Sequence, residues 1–421
     1  MLEHLDVYMN TQLVGQLAQM KSGLKFSYSR TWLEHKNSIP ISISMPVTTK
    51  TYSGTLVENY FDNLLPDSLD VRQLIAHRNG CKNTSFELLK TIGSDCVGAL
   101  QFLPHDRKLP NPGTKIKIDR NRVASILKNL TTVPLGLDVH QEFRLSIAGI
   151  QDKTSLHIQD RQIFLPLGPT PSTHILKPPI QAKAGYPDMS DSVENEHFCL
   201  KILGHFDIPV AETQIEHFED QKALLIKRFD RHTTAKSKLI RLPQEDFCQA
   251  LGHPGNSKYQ SQGGPDIHVI MELLKHSLNA QSDRRLFFKT QILLWLLGAI
   301  DGHAKNFSVY LLPGGRFRLT PVYDVMSVYP YLNSPYIRRN QPKLAMSFGD
   351  SREYRLFKVA SRHIVQSAKQ CQLSRDSVEG ILTEIKEGSS SLNDRLRANS
   401  EVNEEMATTI LEEFNRRLLT I

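Results

Sequence analysis

The sequence has few of the features that mark secreted, zinc-binding or membrane-spanning proteins. It contains five cysteines, an odd number, and no CxxC pair, so neither a disulfide scaffold nor a structural zinc site is expected. The longest apolar run, Ile292–Ile300, has nine residues, whereas a bilayer span needs about 20. Glu3 and Asp6 do not fit a signal peptide. We therefore expect a cytoplasmic protein with no membrane partner.

Neither positive nor negative charge is in large excess. The chain has 51 Lys and Arg residues against 44 Asp and Glu residues, a formal charge of +7 over 421 residues. Its densest basic group, Arg338, Arg339 and Lys343, is small, and a solvated loop is a simpler interpretation than a nucleic-acid site. With 40% hydrophobic residues the chain can bury a core. A globular protein of about two or three domains is predicted.

Hydrophobic periodicity predicts a mixture of strands and helices. After residue 140, the pattern predicts strands over Phe143–Ile147, Thr154–Ile158 and Ile163–Leu167, with a turn at Asp160 and Arg161 between the last two. It also predicts a helix over Ser192–Gly204, a long helix beginning after the N-cap Ser282, and a C-terminal helix over Met406–Leu418. Pro313–Gly315 lies between two strand-like runs and predicts a hairpin.

The stretch from Ala299 to Val325 carries the clearest signal of chemistry. Asp301 follows the long buried helix at a "DG" turn, and Asn306 comes five residues later. The hairpin should return Asp324 to a position beside Asn306. Two carboxylates and an amide suit Mg²⁺, and their order is that of protein kinases. The strings "HRD" and "DFG" are absent and "DG" is a common turn, so a purely structural interpretation stays open.

Residues upstream of Asp301 also occur in the order found in protein kinases. The segment "RLSIAGIQDKTSL" predicts a small-residue loop between two strands, which allows backbone N–H groups to approach phosphates. Lys177 ends a strand, as does the kinase lysine that binds phosphates. Glu196 could orient that lysine, with Glu194 as the alternative, although simple exposure would explain either. Each signal is weak alone, and their order along the chain is what favours a kinase.

Three further features, a hinge segment and two single residues, give weaker support for a kinase. Residues 223–230, "ALLIKRFD", lie where a hinge would offer backbone groups to adenine. Lys153 and His303 could contact phosphate, although His303 could equally well satisfy hydrogen bonds of its own loop. A metal site built on histidines is not favoured, because no HExxH pattern occurs.

Seven motifs together resemble the HipA family, the kinase toxins of bacterial HipBA toxin–antitoxin modules. They are "FDNLLPDS", "IGSDCVGAL", "SIAGIQDKTSL", "THILK", "RLPQEDFCQALG", "DGHAKNFS" and "LTPVYDV". The resemblance runs in order from about residue 5 to beyond residue 350. It implies an α+β, two-lobed protein-kinase-like fold with an N-terminal subdomain (1–140), a β-rich N-lobe (141–240) and an α-rich C-lobe (241–421).

The resemblance also implies an activity and a set of site residues. The activity is that of a non-specific serine/threonine protein kinase that uses ATP and Mg²⁺. The implied residues are Asp301 as catalytic base, Asn306 and Asp324 as metal ligands, and Ile147, Ala148, Gly149, Ile150, Gln151, Asp152, Lys153, Lys177, Lys227, Phe229, His303, Lys305 and Asn306 as ATP-binding residues. HipA has an acidic residue where Lys227 stands, but the hinge contact is through the backbone. Ser146 matches the family's inactivating autophosphorylation site.

Targets and partners follow from the resemblance as well. It implies that an aminoacyl-tRNA synthetase, glutamyl-tRNA synthetase first, is phosphorylated so that translation and growth stop and persistence is induced. A HipB-like helix-turn-helix antitoxin would bind the chain and bring it to operator DNA. Two alternatives are a catalytically silent regulator that binds DNA or an antitoxin, suggested by the +7 charge, and a small-molecule or lipid kinase of related fold.

Overall fold

The computed structural model describes residues 3–105, 113–130, 133, 151–182, 184–332, 334–392 and 402–421. The chain divides into two compact units, each built from three segments. The first unit contains Met1–Pro178, Glu216–Asn256 and Ser308–Phe317, and the second contains Pro179–Ile215, Ser257–Phe307 and Arg318–Ile421. The boundaries at residues 140 and 240 expected from the sequence stay a prediction.

Strands and helices both occur along most of the described chain. The strands are β1 (Glu3–Met9), β2 (Gln12–Met20), β3 (Gly23–Tyr28), β4 (Tyr52–Ser53), β5 (Leu100–Pro104), β6 (Lys115–Ile118), β7 (Thr154–Gln159), β8 (Gln162–Pro166), β9 (His174–Lys177), β10 (Thr213–Phe218), β11 (Gln221–Lys227), β12 (Arg231–Thr233), β13 (Leu239–Arg241), β14 (Gln244–Asp246), β15 (Ser308–Leu311), β16 (Phe317–Leu319), β17 (Lys343–Phe348) and β18 (Glu353–Arg355). The helices are α1 (Arg30–Leu33), α2 (Thr55–Asp62), α3 (Leu69–Arg78), α4 (Ser85–Ile92), α5 (Arg120–Lys128), α6 (Ser192–His205), α7 (Phe247–Ala250), α8 (Ile267–Leu273), α9 (Ala280–Leu297), α10 (Ser361–Gln370), α11 (Arg375–Ser390) and α12 (Glu404–Leu418).

The first sheet has the strand order β4-β3-β2-β1-β5 and is antiparallel throughout. Leu5, Val7 and Met9 of β1 are buried at intervals of two residues, which places them on one face of the sheet. Phe26 of β3 packs against Phe61 of α2, with ring centroids 5.8 Å apart. The sheet and its helices therefore share one apolar core.

The second sheet has the order β10-β11-β9-β7-β8-β6. Strand β9 pairs antiparallel with both β7 and β11. The turn from β7 to β8 holds Asp160 and Arg161 at φ values of 50° and 61°, as a tight two-residue hairpin of this kind requires. This turn and its two strands confirm the sequence prediction.

The second unit is built around α9. Phe288, Leu293 and Trp295 are completely buried, and the indole N–H of Trp295 donates to the carbonyl of Leu356 at 3.1 Å. Burial on several faces explains why the end of this helix is apolar all round. Within the described residues, no helix combines the length and the apolar character needed to cross a bilayer.

The start of α9 differs from the prediction. The helix begins at Ala280 with Asn279 as N-cap, so the expected N-cap Ser282 lies inside the first turn. The Ser282 hydroxyl donates to the Asn279 carbonyl at 3.0 Å. Asp283 accepts instead from the Ser277 hydroxyl and the Leu319 backbone N–H, a contact with distant sequence that local patterns do not reveal.

Most other elements agree with the sequence. Helices α6 and α12 and the hairpin of β15 and β16 lie where the pattern predicts them. The antiparallel pair of β17 and β18 was not predicted. The strand expected over Phe143–Ile147 lies outside the described residues.

Candidate functional site

The loop that follows α9 carries Asp301 and Asn306. The helix ends at Gly298, whose φ of 63° is left-handed, a conformation that glycine adopts without penalty. The loop then passes close to the helix, because a Cβ at Gly302 would lie 2.6 Å from Leu294 Cδ1. The two glycines thus let the chain turn sharply and hold the Asp301 loop against the buried helix.

The hairpin of β15 and β16 returns the chain to this loop, as predicted. Asp301, Asn306 and Asp324 line one pocket. Its other lining residues are Leu294, Ala299, Gly302, Phe307, Val322, Tyr323, Val325 and Met326. Three residues with oxygen-bearing side chains therefore line one pocket together with mainly apolar residues, although 18 residues separate Asn306 from Asp324 in the chain.

The Asn306 side chain forms hydrogen bonds to the two aspartates of the pocket. Its side-chain N–H₂ group donates to the Asp301 carbonyl at 2.9 Å and to the Asp324 carbonyl at 3.4 Å. Both bonds use the amide nitrogen, so the amide oxygen is the atom that Asn306 can offer to a metal ion. Asp324 has a left-handed φ of 61°, which is sparsely populated outside glycine and occurs often at functional sites.

Asp301 is the exposed member of the group, with 59% of its side chain accessible. Its Oδ1 accepts a hydrogen bond from the Tyr259 hydroxyl at 2.5 Å, and its Oδ2 lies 4.0 Å from His303 Nε2. Sequence reasoning missed Tyr259, because 42 residues separate it from Asp301 and no motif marks it.

His303 and Lys305 lie in the same loop and are both buried. The His303 backbone N–H donates to the Asp301 carbonyl at 2.8 Å, and the Lys305 carbonyl accepts from the Tyr323 hydroxyl at 2.9 Å. These contacts hold the loop in shape. The roles of both side chains in ATP binding stay predictions.

The donor set of the pocket fits Mg²⁺. Asn306 and Asp324 offer hard oxygen ligands, and Mg²⁺ is usually held by only one or two carboxylates together with waters and substrate phosphates. Over the described part of the chain, no group of three or more His, Cys, Asp and Glu side chains could hold a metal ion. The residues therefore suit a metal shared with a nucleotide better than a closed structural site.

In the first unit, two lysines meet at the end of the second sheet. Thr154 of β7 pairs with Leu176 of β9, and the next step of this register sets Lys153 opposite Lys177. Both side chains are buried. Lys153 and Lys177 are therefore neighbours at the ends of two adjacent strands, and their roles in ATP binding stay predictions.

Only part of the predicted phosphate loop can be placed. Ser146, Ile147, Ala148, Gly149 and Ile150 lie outside the described residues. At the end of the loop, the Gln151 side chain donates to the Pro178 carbonyl at 3.1 Å, which links the loop to the residue after Lys177. Asp152 is half-buried.

The predicted adenine hinge follows β11. Lys227 is exposed and Phe229 is half-buried. The Phe229 carbonyl accepts from the Tyr310 hydroxyl at 3.0 Å, and the two rings pack edge to face with centroids 6.0 Å apart. Phe229 is therefore held in place by β15, which also belongs to the first unit.

A buried ionic cluster lies directly behind this hinge, and sequence reasoning missed it. Asp95 accepts from Arg231 at 2.8 Å and from Arg241 at 2.9 Å, while Arg228 donates to Asp230 at 2.8 Å. Burial alone would raise the pKa of Asp95, but the charges of the three arginines outweigh it and hold that pKa well below its usual value. We name these five residues the arginine cluster.

Glu194 and Glu196 lie on α6 in the second unit. Glu196 is buried and Glu194 is half-buried, so simple surface exposure does not describe Glu196. Between them, the Asn195 side chain donates to the Ser327 carbonyl at 2.9 Å and accepts from the Ser327 backbone N–H at 2.8 Å. The choice of a partner for Lys177 stays a prediction.

Known protein families match this chain over most of its length. The chain matches the HipA-like C-terminal domain family over residues 145–392 and the HipA N-terminal domain family over residues 5–103. The chain belongs to the HipA family. The Y4mE protein of Sinorhizobium fredii, named as a candidate kinase, is 34% identical over 82% of this chain and 80% of its own length.

A named HipA protein and a solved HipA complex extend the comparison. The serine/threonine-protein kinase toxin HipA of Shewanella oneidensis is 28% identical over 78% of this chain and 76% of its own length. A solved Shewanella oneidensis complex of HipA, HipB and operator DNA contains a chain that superposes with a TM-score of 0.81. That match has 23% identity and covers 99% of this chain and 96% of the other. It confirms the predicted α+β HipA fold.

Proposed function

We propose that this protein is an ATP- and Mg²⁺-dependent serine/threonine protein kinase that acts as the toxin of a toxin–antitoxin module. The observation that carries the proposal is the single pocket lined by Asp301, Asn306 and Asp324. Membership in the HipA family and the name of the Shewanella oneidensis relative support it.

Each residue has a defined role in this proposal. Lys153 and Lys177 bind nucleotide phosphates, and backbone groups around Lys227 and Phe229 bind adenine. Asp301 accepts the proton of the acceptor hydroxyl, whose oxygen bonds to the γ-phosphorus while the bond to the β–γ bridging oxygen breaks and ADP leaves. Asn306 and Asp324 would hold Mg²⁺, which neutralises phosphate charge when bound. His303 and Lys305 contribute to the nucleotide side of the loop.

We further propose glutamyl-tRNA synthetase as the first target and Ser146 as an inactivating autophosphorylation site. A HipB-like antitoxin and, through it, operator DNA are the proposed partners, supported by the complex in which the structural relative was solved. These partners and the synthetase are cytoplasmic in bacteria, so the proposed place of action is the cytoplasm. Phosphorylation of the synthetase would arrest growth and lead to persistence.

Phosphoryl transfer is the decisive test. Purified protein is incubated with Mg²⁺, labelled ATP and glutamyl-tRNA synthetase, with Asp301→Asn as the matched control. We expect phosphoserine or phosphothreonine on the synthetase and at least a roughly 100-fold lower rate for the variant. Label on small molecules or lipids alone would favour a different kinase class. Equal absence of label in both proteins, with salt-sensitive DNA binding, would favour the silent regulator.

A further inference from the structure

Tyr259 contacts the proposed catalytic base from a distant part of the chain. Its hydroxyl donates to Asp301 Oδ1 at 2.5 Å, and both residues belong to the second unit. Tyr259 immediately precedes a short 3₁₀ turn, Gln260–Gln262. Neither the family motifs nor the spacing of charged residues assigns it a role.

The tyrosine ring is packed against the same loop that its hydroxyl contacts. It meets the His303 ring edge to face, with centroids 5.0 Å apart and an interplanar angle of 87°. The His303 side chain is only 4% exposed, so this partner ring is itself fixed by its surroundings. The position of the hydroxyl is therefore determined by ring packing as well as by its hydrogen bond.

The backbone on either side of Tyr259 is also anchored. The Lys258 carbonyl accepts from the Ala304 N–H at 3.4 Å, which links this segment directly to the Asp301 loop. The Gln260 side chain accepts from the Ser347 N–H at 2.7 Å. Two anchors flank the tyrosine, so its hydroxyl is held in place before any substrate binds.

The turn that follows Tyr259 is closed by a backbone hydrogen bond. The Tyr259 carbonyl accepts from the Gly264 N–H at 3.0 Å. A Cβ at Gly264 would lie 2.2 Å from the Ser257 carbonyl oxygen, so the turn closes around a residue without a side chain. The loop that carries Tyr259 is therefore compact.

A hydrogen bond from Tyr259 can orient the exposed carboxylate of Asp301. Its side chain is 59% exposed, and an exposed carboxylate samples several rotamers unless something holds it. A general base must point one oxygen at the proton that it removes, and a positioned second group commonly orients it. The Tyr259 hydroxyl contacts Oδ1 of Asp301 and so restricts the orientation of the carboxylate.

We propose that Tyr259 is a positioning residue that orients Asp301 for proton removal. This inference rests on the kinase function proposed above. It predicts that loss of the hydroxyl slows the chemical step while nucleotide binding is unchanged, because Tyr259 acts only through the base.

The test compares Tyr259→Phe with the wild-type full-length chain. Phenylalanine keeps the ring against His303, so we expect the variant to fold with an unchanged melting temperature. The expected result is a kcat lower by roughly tenfold, the size of a lost hydrogen bond to a charged group, with the KM for ATP and the affinity for ADP unchanged. Tyr336→Phe, at a tyrosine that is 51% exposed, is the control and should leave kcat unchanged.

A double variant separates positioning from general destabilisation. In the Asp301→Asn background, Tyr259→Phe should cause no further loss, because the group that it orients is gone. An additive loss in that background would overturn the inference, as would an unchanged kcat in the single variant. A raised kcat would also overturn it, because the phenol would then compete with the acceptor hydroxyl. Failure of the proposed function is distinct, since the wild type itself would then transfer no phosphate.

Discussion

At the scale of single residues, Glu245 is an ionisable group that the proposed chemistry does not use. Its side chain is completely buried, and its Oε1 accepts from the Ile43 N–H at 2.7 Å. Burial raises the pKa of Glu245 from 4.5 to about 8, and the hydrogen bonds from Ile43 and Ser42 offset only part of that rise. The carboxyl group therefore keeps its proton in the folded chain at neutral pH.

This shift predicts a pH dependence of stability. Between pH 4.5 and about 8 the folded chain holds a proton on Glu245 that the unfolded chain has released. The free energy of unfolding should therefore decrease as pH rises through this window and be independent of this group outside it. Urea unfolding at a series of pH values measures the slope.

Glu245→Gln should flatten this slope, because an amide does not titrate and still offers an oxygen to Ile43. Glu34→Gln is the control, since the Glu34 side chain is 65% exposed, and it should keep the wild-type slope. An identical slope in wild type and Glu245→Gln would show that Glu245 is ionised in the folded chain.

At the scale of elements, the end of α9 sets the position of the Asp301 loop. Gly298 combines a φ of 63° with close packing, because a Cβ there would lie 2.7 Å from the Tyr329 ring. Gly314 in the β15–β16 hairpin has a φ of 75°, and a Cβ there meets no described atom within 4 Å. The two glycines share the same backbone conformation and differ in their surroundings.

Alanine at these positions should therefore have unequal effects. We expect Gly314→Ala to cost about 1 kcal/mol for its left-handed backbone and Gly298→Ala about 2 kcal/mol or more, because the methyl group also displaces Tyr329. Denaturant unfolding checks both values. The Gly298 variant should also lose kinase activity, since Asp301 follows three residues later. Equal losses of stability would mean that Tyr329 moves aside without cost.

At the scale of the whole molecule, the arginine cluster joins segments that are far apart in the chain. Asp95 lies in the region matched by the HipA N-terminal domain family, and its three arginine partners lie in the region matched by the C-terminal one. All five residues belong to the first unit. The two family regions thus share one folded core in this unit, with their charges paired out of water.

Asp95→Asn should therefore destabilise the first unit as a whole. It leaves three buried arginines with one carboxylate, Asp230, and breaking a buried pair costs about 3–5 kcal/mol. Hydrogen exchange measured by mass spectrometry should show lost protection throughout the first unit. The control Glu3→Gln breaks an ion pair with Lys90 whose glutamate is 57% exposed, and it should cost less than about 1 kcal/mol. Unchanged exchange in Asp95→Asn would contradict a stabilising role.

The sequence by itself determined the features that depend on near neighbours. Helices α6 and α12 follow from apolar spacing, and the turn at Asp160 follows from the strands on either side of it. The pocket of Asp301, Asn306 and Asp324 could also be predicted from the sequence, because a five-residue loop and a short hairpin bring its members together. In each case, the contacts are short in sequence and their geometry is set by helix, strand and turn periodicity.

The tertiary structure alone decided the contacts between distant segments. Tyr259 reaches Asp301 across 42 residues, and Asp95 reaches Arg241 across 146. The same is true of Asp283, which accepts a hydrogen bond from the Leu319 backbone N–H 36 residues further along the chain. No local pattern predicts these pairs, because their partners are selected by the packing of the whole chain around a core.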